Sequence, residues 1–406
     1  MSELSYLEKL LDGVEVEWLP LGEITKYEQP TKYLVKAKDY HDTYTIPVLT
    51  AGKTFILGYT NETHGIYQAS KAPVIIFDDF TTANKWVDFD FKAKSSAMKM
   101  VTSCDDNKTL LKYVYYWLNT LPSKFAEGDH KRQWISNYSQ KKIPIPCPDN
   151  PEKSLAIQSE IVRILDKFTE LTAELTAELS MRKKQYNYYR DQLLSFDEEQ
   201  EKPIYLEKLL DGVEVEWKLL GDASFFEIAN NGRKPVKSSL RIAGKTPYYG
   251  ANNIQDYVDG YTHDGEYVLI AEDGSASLEN YSIQYATGKF WANNHVHVVR
   301  GKTRVNSRFL FHYLHIVNFI PFLTGGVRAK LTKGQLIEIS VPIPCPDNTE
   351  KSLAIQAEIV RILDKFDTLT NSITEGLPRE IELRQKQYEY YRDLLFSFPK
   401  PETVSN

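Results

Sequence analysis

The apolar positions of the chain recur at coiled-coil spacing in two stretches, one in each half of the sequence. In the first stretch the steps alternate between four and three residues, which predicts a helix with one apolar seam. The seam consists of Ile157, Ile161, Ile164, Phe168, Leu171 and Leu175. Ser154 follows a Pro-rich turn and suits the N-cap, so the helix is expected to run over residues 154–196. The repeated unit Thr-Ala-Glu-Leu adds one further step of four, from Leu175 to Leu179, which predicts a stutter and a spacer role for Leu171, Leu175 and Leu179.

The second stretch starts at Ser352 and lacks the four-residue repeat. It contains "TEGLPRE" at residues 374–380 instead. Proline removes a backbone donor and clashes with the preceding helical turn. Gly376 and Pro378 are therefore predicted to break or kink the second helix.

Between these helices the pattern changes to short runs of Tyr, Val, Ile and Thr that are separated by Gly, Asn and Asp. Such runs predict strands and turns. "APVIIFDD" at residues 72–79 resembles "EYVLIAEDG" at residues 266–274, and "KSSAMKMV" resembles "NNHVHVV" further along. Both regions are interpreted as distant versions of one mixed, mostly β domain, so the predicted fold class is α+β.

The whole chain is an internal repeat. "YLEKLLDGVEVEW" occurs at residues 6–18 and 205–217, and "PIPCPDN" followed by "EIVRILDKF" also occurs twice. The repeat predicts five segments, which are a conserved helical segment (1–18), a first variable domain (19–148), a long coiled-coil helix with a connector (149–217), a second variable domain (218–346) and a second conserved helix with a tail (347–406). The two variable domains are called the first head and the second head below.

Connectivity predicts how these parts are arranged. The first helix carries the chain from the first head to the second head, and the second helix leads away again, so the two helices should pair antiparallel. A helix over residues 154–196 would span roughly 64 Å at 1.5 Å per residue. The sequence therefore predicts a pseudo-two-fold molecule in which a helical spacer separates two heads.

Composition and charge narrow the class of protein. The 406 residues contain no apolar run of 18, and the amino terminus lacks the basic region of a secretory signal, so a cytoplasmic protein without a membrane partner is expected. Cys104, Cys147 and Cys345 lie too far apart for a disulfide framework and are interpreted as reduced structural thiols. The net charge of −6 is unevenly distributed, because each head is net +4 and the rest of the chain is net −14. Basic heads on acidic helices suggest that the heads contact phosphates and the helices contact protein.

Gly loops with basic residues precede the last strand of each head, in "EGDHKRQW" (127–134) and "TGGVRAKLTKG" (324–334). Gly allows close backbone approach to a duplex, whereas Arg, Lys, Asn and Gln side chains reach phosphates or base edges. These loops and similar turns supply the candidate DNA-binding residues of the first head, which are Lys53, Thr81, Thr82, Asn84, Lys85, His130, Lys131, Arg132 and Gln133. The candidates in the second head are Asn231, Arg233, Lys234, Asn252, Asn253, Asn293, Asn294, Arg328, Lys330 and Lys333. Taken singly, each of these stretches also fits an ordinary turn.

Sequence motifs for catalysis are missing. The three "GKT" triplets lack the Gly of a P-loop, and no G-x-G-x-x-G, H-E-x-x-H, G-x-S-x-G or Asn-Pro-Pro-aromatic motif occurs. His295 and His297 would share one strand face, but no further metal ligand accompanies them. Asp78–Asp79 and Glu272–Asp273 are interpreted as equivalent, turn-forming carboxylates. No catalytic residue, cofactor or metal is therefore assigned to this chain.

With two variable domains, each followed by a near-identical helix that begins after "PIPCP", the sequence resembles the specificity subunit of type I restriction-modification systems. The Thr-Ala-Glu-Leu repeat resembles the IC subgroup. The resemblance implies that each head reads one half of a bipartite double-stranded DNA site, and that the helices set the gap and bind two modification subunits. S-adenosylmethionine for adenine methylation, and ATP and Mg for the restriction subunits, would belong to those partners.

Two other classes of function stay open from the residues alone. One is a stand-alone nuclease or methyltransferase, which the missing motifs disfavour. The other is a coiled-coil adaptor that never touches DNA, which the basic heads disfavour. Binding to duplex DNA and its salt dependence would separate the adaptor from the DNA reader.

Overall fold

A computed structural model describes residue 10 and residues 13–36, 40–52, 54–122, 132–196, 204–210, 213–325 and 329–399. The chain divides into two compact units. Unit 1 comprises Met1–Leu175 and Ile381–Asn406, and unit 2 comprises Thr176–Glu380. Each unit contains one head together with segments of the conserved helices.

Unit 1 is built on two sheets. Its strands are β1 (Val16–Pro20), β2 (Thr25–Glu28), β3 (Ile46–Leu49), β4 (Ile56–Thr60), β5 (Val74–Asp78), β6 (Asn84–Val87), β7 (Lys92–Ala93), β8 (Met98–Ser103) and β9 (Lys142–Pro146). An antiparallel sheet has the order β2-β8-β5-β6, and a second sheet has the order β4-β3-β7 with β3 parallel to β7. The Pro-rich β9 pairs with β1. Residues 74–77 of β5 are fully buried, as their continuous apolar run predicts for a covered strand.

The helices of unit 1 include α1 (Leu21–Ile24), α2 (Leu111–Leu118), α3 (Gln133–Ser136) and α4 (Pro151–Leu194), of which α4 continues into unit 2. Ile157, Ile161 and Leu165 of α4 pack into the core of the first head. Leu395, Phe396 and Phe398, near the end of the described chain, are buried in the same core. Residues far apart in the sequence thus complete this head.

Unit 2 repeats this plan with one additional short strand. Its strands are β10 (Val215–Leu219), β11 (Phe226–Ile228), β12 (Ala243–Tyr249), β13 (Ile254–Val258), β14 (His263–Asp264), β15 (Tyr267–Ala271), β16 (Ile283–Ala286), β17 (Lys289–Ala292), β18 (Val296–Gly301) and β19 (Ser340–Pro344). The sheet β11-β18-β15-β16 matches β2-β8-β5-β6, and β13-β12-β17-β14 matches β4-β3-β7. The pair β10–β19 matches β1–β9. The predicted likeness of the two heads is therefore confirmed.

The remaining helices are α5 (Ile204–Leu210), α6 (Ser307–Leu314), α7 (Lys333–Leu336), α8 (Thr349–Asn371) and α9 (Leu377–Leu395). Residues 372–376 separate α8 from α9, so the predicted break at Gly376 and Pro378 is confirmed. Gly376 has a φ of +82°, and a Cβ there would collide with the carbonyl oxygen of Thr368. Glycine is the residue that tolerates this conformation.

Within each unit a segment of α4 packs against the second conserved helix. In unit 1 the rings of Phe168 and Tyr391 stack at 5.1 Å, and in unit 2 Tyr186 and Tyr189 lie 6.2 and 5.6 Å from Phe366. As the residue number along α4 rises, the number of the residue that it contacts in the second conserved helix falls. This is the antiparallel order that connectivity predicts.

A buried glutamine joins the head to the long helix in each unit. Gln158 of α4 accepts a hydrogen bond from the backbone N–H of Leu110 at 2.9 Å and donates to the carbonyl of Lys108 and to Ser154 Oγ, each at 3.0 Å. In unit 2, Gln356 makes the same three bonds to Asn306, Arg304 and Ser352. Both glutamines are fully buried. The two heads are therefore fastened to their helices by one repeated device.

Two local predictions are wrong. Ser154 is not the N-cap of α4, because the helix begins at Pro151 and Asn150 Oδ1 accepts from the N–H of Lys153; Asn348 has this role in α8. Residues 16–18, assigned to a helical segment, form β1, since "VEVEW" alternates with the period of a strand. The predicted seam is only partly buried, because Leu171 is 36% exposed and Leu175 and Leu179 are half-buried.

In the part of the chain that the structure describes, no helix has the length and apolarity needed to cross a membrane.

Candidate nucleic-acid interface

The two Gly loops singled out from the sequence return to the same place in their heads. After the first loop, the N–H of Gln133 donates to the carbonyl of Asp79 at 2.8 Å. After the second, the N–H of Leu331 donates to the carbonyl of Glu272 at 2.8 Å. Lys53, His130, Lys131 and Arg328 lie outside the described residues. The described ends of both loops thus lie beside the first residue after an equivalent central strand, β5 or β15.

In the first head this place is organised by a buried ion pair. Lys99 Nζ lies 3.0 Å from Asp79 Oδ2, and neither side chain is exposed. The other carboxylate oxygen of Asp79 accepts from the N–H of Trp134 at 2.9 Å, which fixes the start of α3. Lys99 Nζ also lies 5.4 Å from the ring centre of Tyr27, which is 40% exposed. The pair therefore orients both the returning loop and an exposed aromatic ring.

The β5–β6 hairpin carries four of the first-head candidates. Asp78 Oδ1 accepts from the N–H groups of Phe80 and Thr81 at 2.9 and 2.8 Å, so Asp78 forms the turn as predicted. Thr82 has a φ of +60° and is only 6% exposed, so its side chain is not available to a duplex and the candidate is wrong as a surface contact. Thr81, Asn84 and Lys85 are partly exposed, and Arg132 is exposed at the end of the loop.

In the second head, Glu272 collects two of the predicted basic residues. Its carboxylate lies 2.5 Å from Arg233 Nη1 and 3.0 Å from Lys330 Nζ. Burial by itself would raise the pKa of Glu272, but the hydrogen bonds from Arg233 and Lys330 outweigh it and lower the pKa. Arg233 also donates to the carbonyl of Val296 at 2.8 Å. Arg233 is thus a structural anchor, whereas Lys330, 44% exposed, can still reach a ligand.

The asparagines predicted for the second head have different roles. Asn252 donates to the carbonyl of Gly274 and accepts from the N–H of Ala276, both at 2.8 Å, so it orders the loop after β15. Asn293 is 3% exposed and its Oδ1 accepts from the N–H of His295, so its prediction as a surface contact is wrong. Exposed candidates that remain are Asn231, Lys234, Asn253, Asn294 and Lys333.

His295 and His297 of the second head do not converge on a common metal site. His295 Nδ1 lies 2.5 Å from Asp273 Oδ1 near the surface. His297 is buried, where it contacts the carbonyl of Leu331 at 2.7 Å and the side chain of Asn230 at 2.9 Å. Burial lowers the pKa of His297. Among the described residues, no group of three or more His, Cys, Asp or Glu side chains could hold a metal ion.

The carboxylate pairs of the two heads are offset by one residue from the predicted equivalence. The backbone hydrogen bonds of Gln133 and Leu331 make Asp79 equivalent to Glu272, and strand register makes Lys99 equivalent to His297. His297 Nδ1 lies 3.8 Å from Glu272 Oε2. One position thus holds a buried Asp–Lys pair in the first head and a Glu–His pair, reinforced by Arg233, in the second.

Sequence reasoning missed Lys99, Tyr27 and the structural role of Asp79. The available signal was the lysine in "AMKMV", a charged residue inside an apolar run that predicts a buried strand. Lys is almost never fully buried unless it is paired. Its partner could not be read from the sequence, because Asp79 lies 20 positions away on a neighbouring strand.

Comparison with known proteins gives a consistent result. The profile described as "Type I restriction modification DNA specificity domain" matches residues 13–181 and 214–383. The chain is 63% identical to the type I restriction enzyme EcoR124I/EcoR124II specificity subunit of Escherichia coli over 100% of both chains. It is 61% identical to a putative type I restriction enzyme specificity subunit of Haemophilus influenzae over 49% of this chain and 51% of that protein.

Solved structures share the fold. The type I restriction-modification S subunit from M. genitalium superposes with a TM-score of 0.64 at 17% identity, covering 96% of this chain and 98% of that one. A chain from a structure on complex assembly of the type I system gives a TM-score of 0.51 at 15% identity, covering 95% and 98%.

Proposed function

Because this chain belongs to the family of type I restriction-modification DNA specificity subunits, we propose that its two heads read separate halves of one bipartite duplex site. A subunit of this family confers DNA-sequence specificity and is not itself an enzyme. The matched specificity domains, residues 13–181 and 214–383, contain one head each. A chain with two DNA-reading heads suits a target site that is divided into two halves.

The observation that carries this proposal is that the two heads share one arrangement of strands and loops but have different side chains where the Gly loop meets the central strand. Both heads return a Gly loop to the end of the same central strand, beside Asp79 in one and Glu272 in the other. The side chains around these two positions differ in charge and hydrogen-bonding capacity. Base recognition depends on such differences, because each base edge presents its own pattern of donors and acceptors.

Within this frame, Lys330 and Arg132 are proposed to contact the duplex. Both follow the Gly loops, and Arg132 is exposed while Lys330 is partly so. A contact to phosphate would strengthen binding to all sequences alike, whereas a contact to a guanine edge would favour one base. The remaining exposed candidates, Asn231, Lys234, Asn253, Asn294 and Lys333, are proposed to surround the second half-site.

The helices are proposed to bind two modification subunits, to which restriction subunits are then added. The helical segments that are nearly identical in both halves expose Tyr188 and Tyr390 to 56% and 57%, and two equivalent surfaces suit two copies of one partner. S-adenosylmethionine, ATP and Mg are proposed to bind those partners, and a cytoplasmic location stays a prediction. The Thr-Ala-Glu-Leu units of α4 are proposed to set the gap between the half-sites.

The test is an exchange of heads. Residues 19–148 would be replaced by the first head of another family member, and methylated sites in host DNA would be mapped for both proteins. We expect one half of the target to change while the other half and the gap remain. The reciprocal control exchanges residues 218–346 and should change the other half. A change in both halves after either exchange would refute divided reading.

A further inference from the structure

The second head carries a strongly basic segment that the predicted contacts cover only in part. Residues 233–245, called the basic turn below, contain Arg233, Lys234, Lys237, Arg241 and Lys245. No acidic residue occurs between Glu227 and Asp256. Charge of one sign over such a length favours a polyanionic partner.

Two apolar side chains project from this turn. Leu240 is 69% exposed and Ile242 is 71% exposed. Arg241 lies between them and points the other way, because its guanidinium lies 4.1 Å from the ring centre of Tyr248 and its Nε donates to the carbonyl of Val236. Arg241 Nη1 also lies 3.3 Å from Asp256. The anchored arginine therefore holds an adjacent pair of apolar side chains in solvent.

Leu240 and Ile242 line a trough with a volume of about 470 Å³, together with Lys234, Lys237, Trp291 and Asp259. Lys234, Lys237 and Lys245 are exposed and form no ion pair with any described residue. Unpaired lysines and exposed apolar side chains thus adjoin on one surface, which suits contact with both the phosphates and the bases of a duplex.

The basic turn is continuous with the candidate interface. The N–H of Lys234 donates to the carbonyl of Ala292 at 3.0 Å, and Trp291 Nε1 donates to the carbonyl of Lys234 at 2.7 Å. These bonds fasten the turn to the strand end that leads to Asn294. A duplex bound at Asn294 and Lys330 would thus have the turn on its flank.

We propose that the basic turn docks on the duplex beside the second half-site, with its lysines on phosphates and with Leu240 and Ile242 inserted into the neighbouring groove as an apolar wedge. Apolar wedges between base steps are an established way for proteins to hold a deformed duplex. The inference rests on the proposed function and adds a second mode of DNA contact to it. It also predicts that DNA affinity depends on how easily the base steps outside the recognised half-site deform.

The first head has no equivalent device in its described residues. At the corresponding place, between β2 and β3, Lys32 is paired with Glu28 at 2.6 Å, and the backbone N–H of Lys36 donates to Glu62. The described large apolar side chains there are all half-buried. The wedge should therefore act on one side of the target.

The lysines are tested by salt dependence. The full chain, assembled with its modification subunits, would be titrated with a duplex that carries the mapped site. The variant Lys237→Gln/Lys245→Gln should bind all sequences more weakly, and its log-affinity against log-salt slope should be smaller by about two, since each phosphate contact contributes roughly 0.9. An unchanged slope would overturn the phosphate contacts. Failure of the unaltered assembly to bind DNA would overturn the proposed function itself.

The wedge is tested by Leu240→Ser/Ile242→Ser, with Ile373→Ser as control because Ile373 is 79% exposed in the α8–α9 connection of the same unit. Duplexes with 2-aminopurine at single positions flanking the second half-site would report unstacking by fluorescence. We expect an increase at one step with the unaltered protein and the control, and loss of that increase with an unchanged salt slope in the double variant. Equal fluorescence in all three proteins would overturn the wedge. Loss of subunit assembly instead of DNA affinity would overturn it in favour of a protein partner.

Discussion

Replacing Gln158 by Leu should loosen the first head from α4 while leaving the second head unaffected. The substitution keeps the size of the side chain but removes three hydrogen bonds, to Leu110, Lys108 and Ser154. Leu110 is the N-cap residue of α2, and its side chain makes no capping hydrogen bond. Its backbone N–H donates to Gln158 instead. The variant leaves that donor and the Lys108 carbonyl without a protein partner.

The magnitude follows from these bonds. A polar group left unsatisfied on burial costs about 1–3 kcal/mol, and two groups lose their partner here. Part of this cost is offset, because Leu transfers more apolar surface to the core than Gln. We expect a net loss of about 2–4 kcal/mol in the local free energy of unfolding. That loss corresponds to hydrogen exchange of the α2 amides faster by roughly 30-fold to several hundredfold.

The assay is hydrogen–deuterium exchange of the full chain followed by mass spectrometry. Gln356→Leu is the matched variant and should accelerate exchange in α6 of unit 2 instead of α2. Gln185→Leu, at an exposed position of α4, is the surface control and should change neither head. Exchange of α2 that stays within experimental error of the unaltered protein, or equal acceleration in both heads, would refute the fastening role of these glutamines.

Three further outcomes follow. Deleting "LTAE" at residues 175–178 shortens α4 by about 6 Å, whereas duplex DNA advances about 3.4 Å per base pair. Methylation mapping should therefore show unchanged half-sites and a gap that is shorter by about one base pair. An unchanged gap with full activity would mean that the repeat only fills the helix. Asp79→Asn removes the partner of buried Lys99 and should destabilise the first head by about 3–5 kcal/mol in urea unfolding. Burial lowers the pKa of His312 although Asp364 opposes this, so the unfolded state binds the proton first and stability should fall as the pH drops below about 6.5. His312→Tyr introduces the residue that Tyr116 provides in the first head, and it should remove this loss of stability at low pH. A pH profile of stability identical to that of the unaltered protein would contradict the role given to His312.

The repeated and periodic parts of the chain were predictable from the sequence. The near-verbatim copies predicted two similar halves, and Gly376 with Pro378 predicted the break between α8 and α9. These features depend on local patterns, such as a helical period or a residue that excludes helix. The burial of residues 74–77 of β5 and of all of β15 likewise follows from their apolar runs.

The polar contacts that organise each head could not be predicted in the same way. Thr82 and Asn293 resemble surface turn residues in the sequence, but neighbouring strands bury them. Arg233 resembles a phosphate contact, yet Glu272 neutralises it from a distant strand. Gln158 gave a usable signal, since it is a polar residue beside Ile157 and is identical in both copies. Which groups it joins depends on tertiary packing.

The hydrogen bond from Trp18 Nε1 to the carbonyl of Pro399 connects residues 381 positions apart. Phe396 and Phe398 enter the same core, so the first head to leave the ribosome lacks part of its interior until residues 396–398 have been synthesised. Unit 2 is continuous in sequence, from Thr176 to Glu380, and has all of its residues earlier. Domains generally fold as units during synthesis. The head made first is therefore the head that finishes folding last, and its exposed apolar surface must be protected while the rest of the chain is translated.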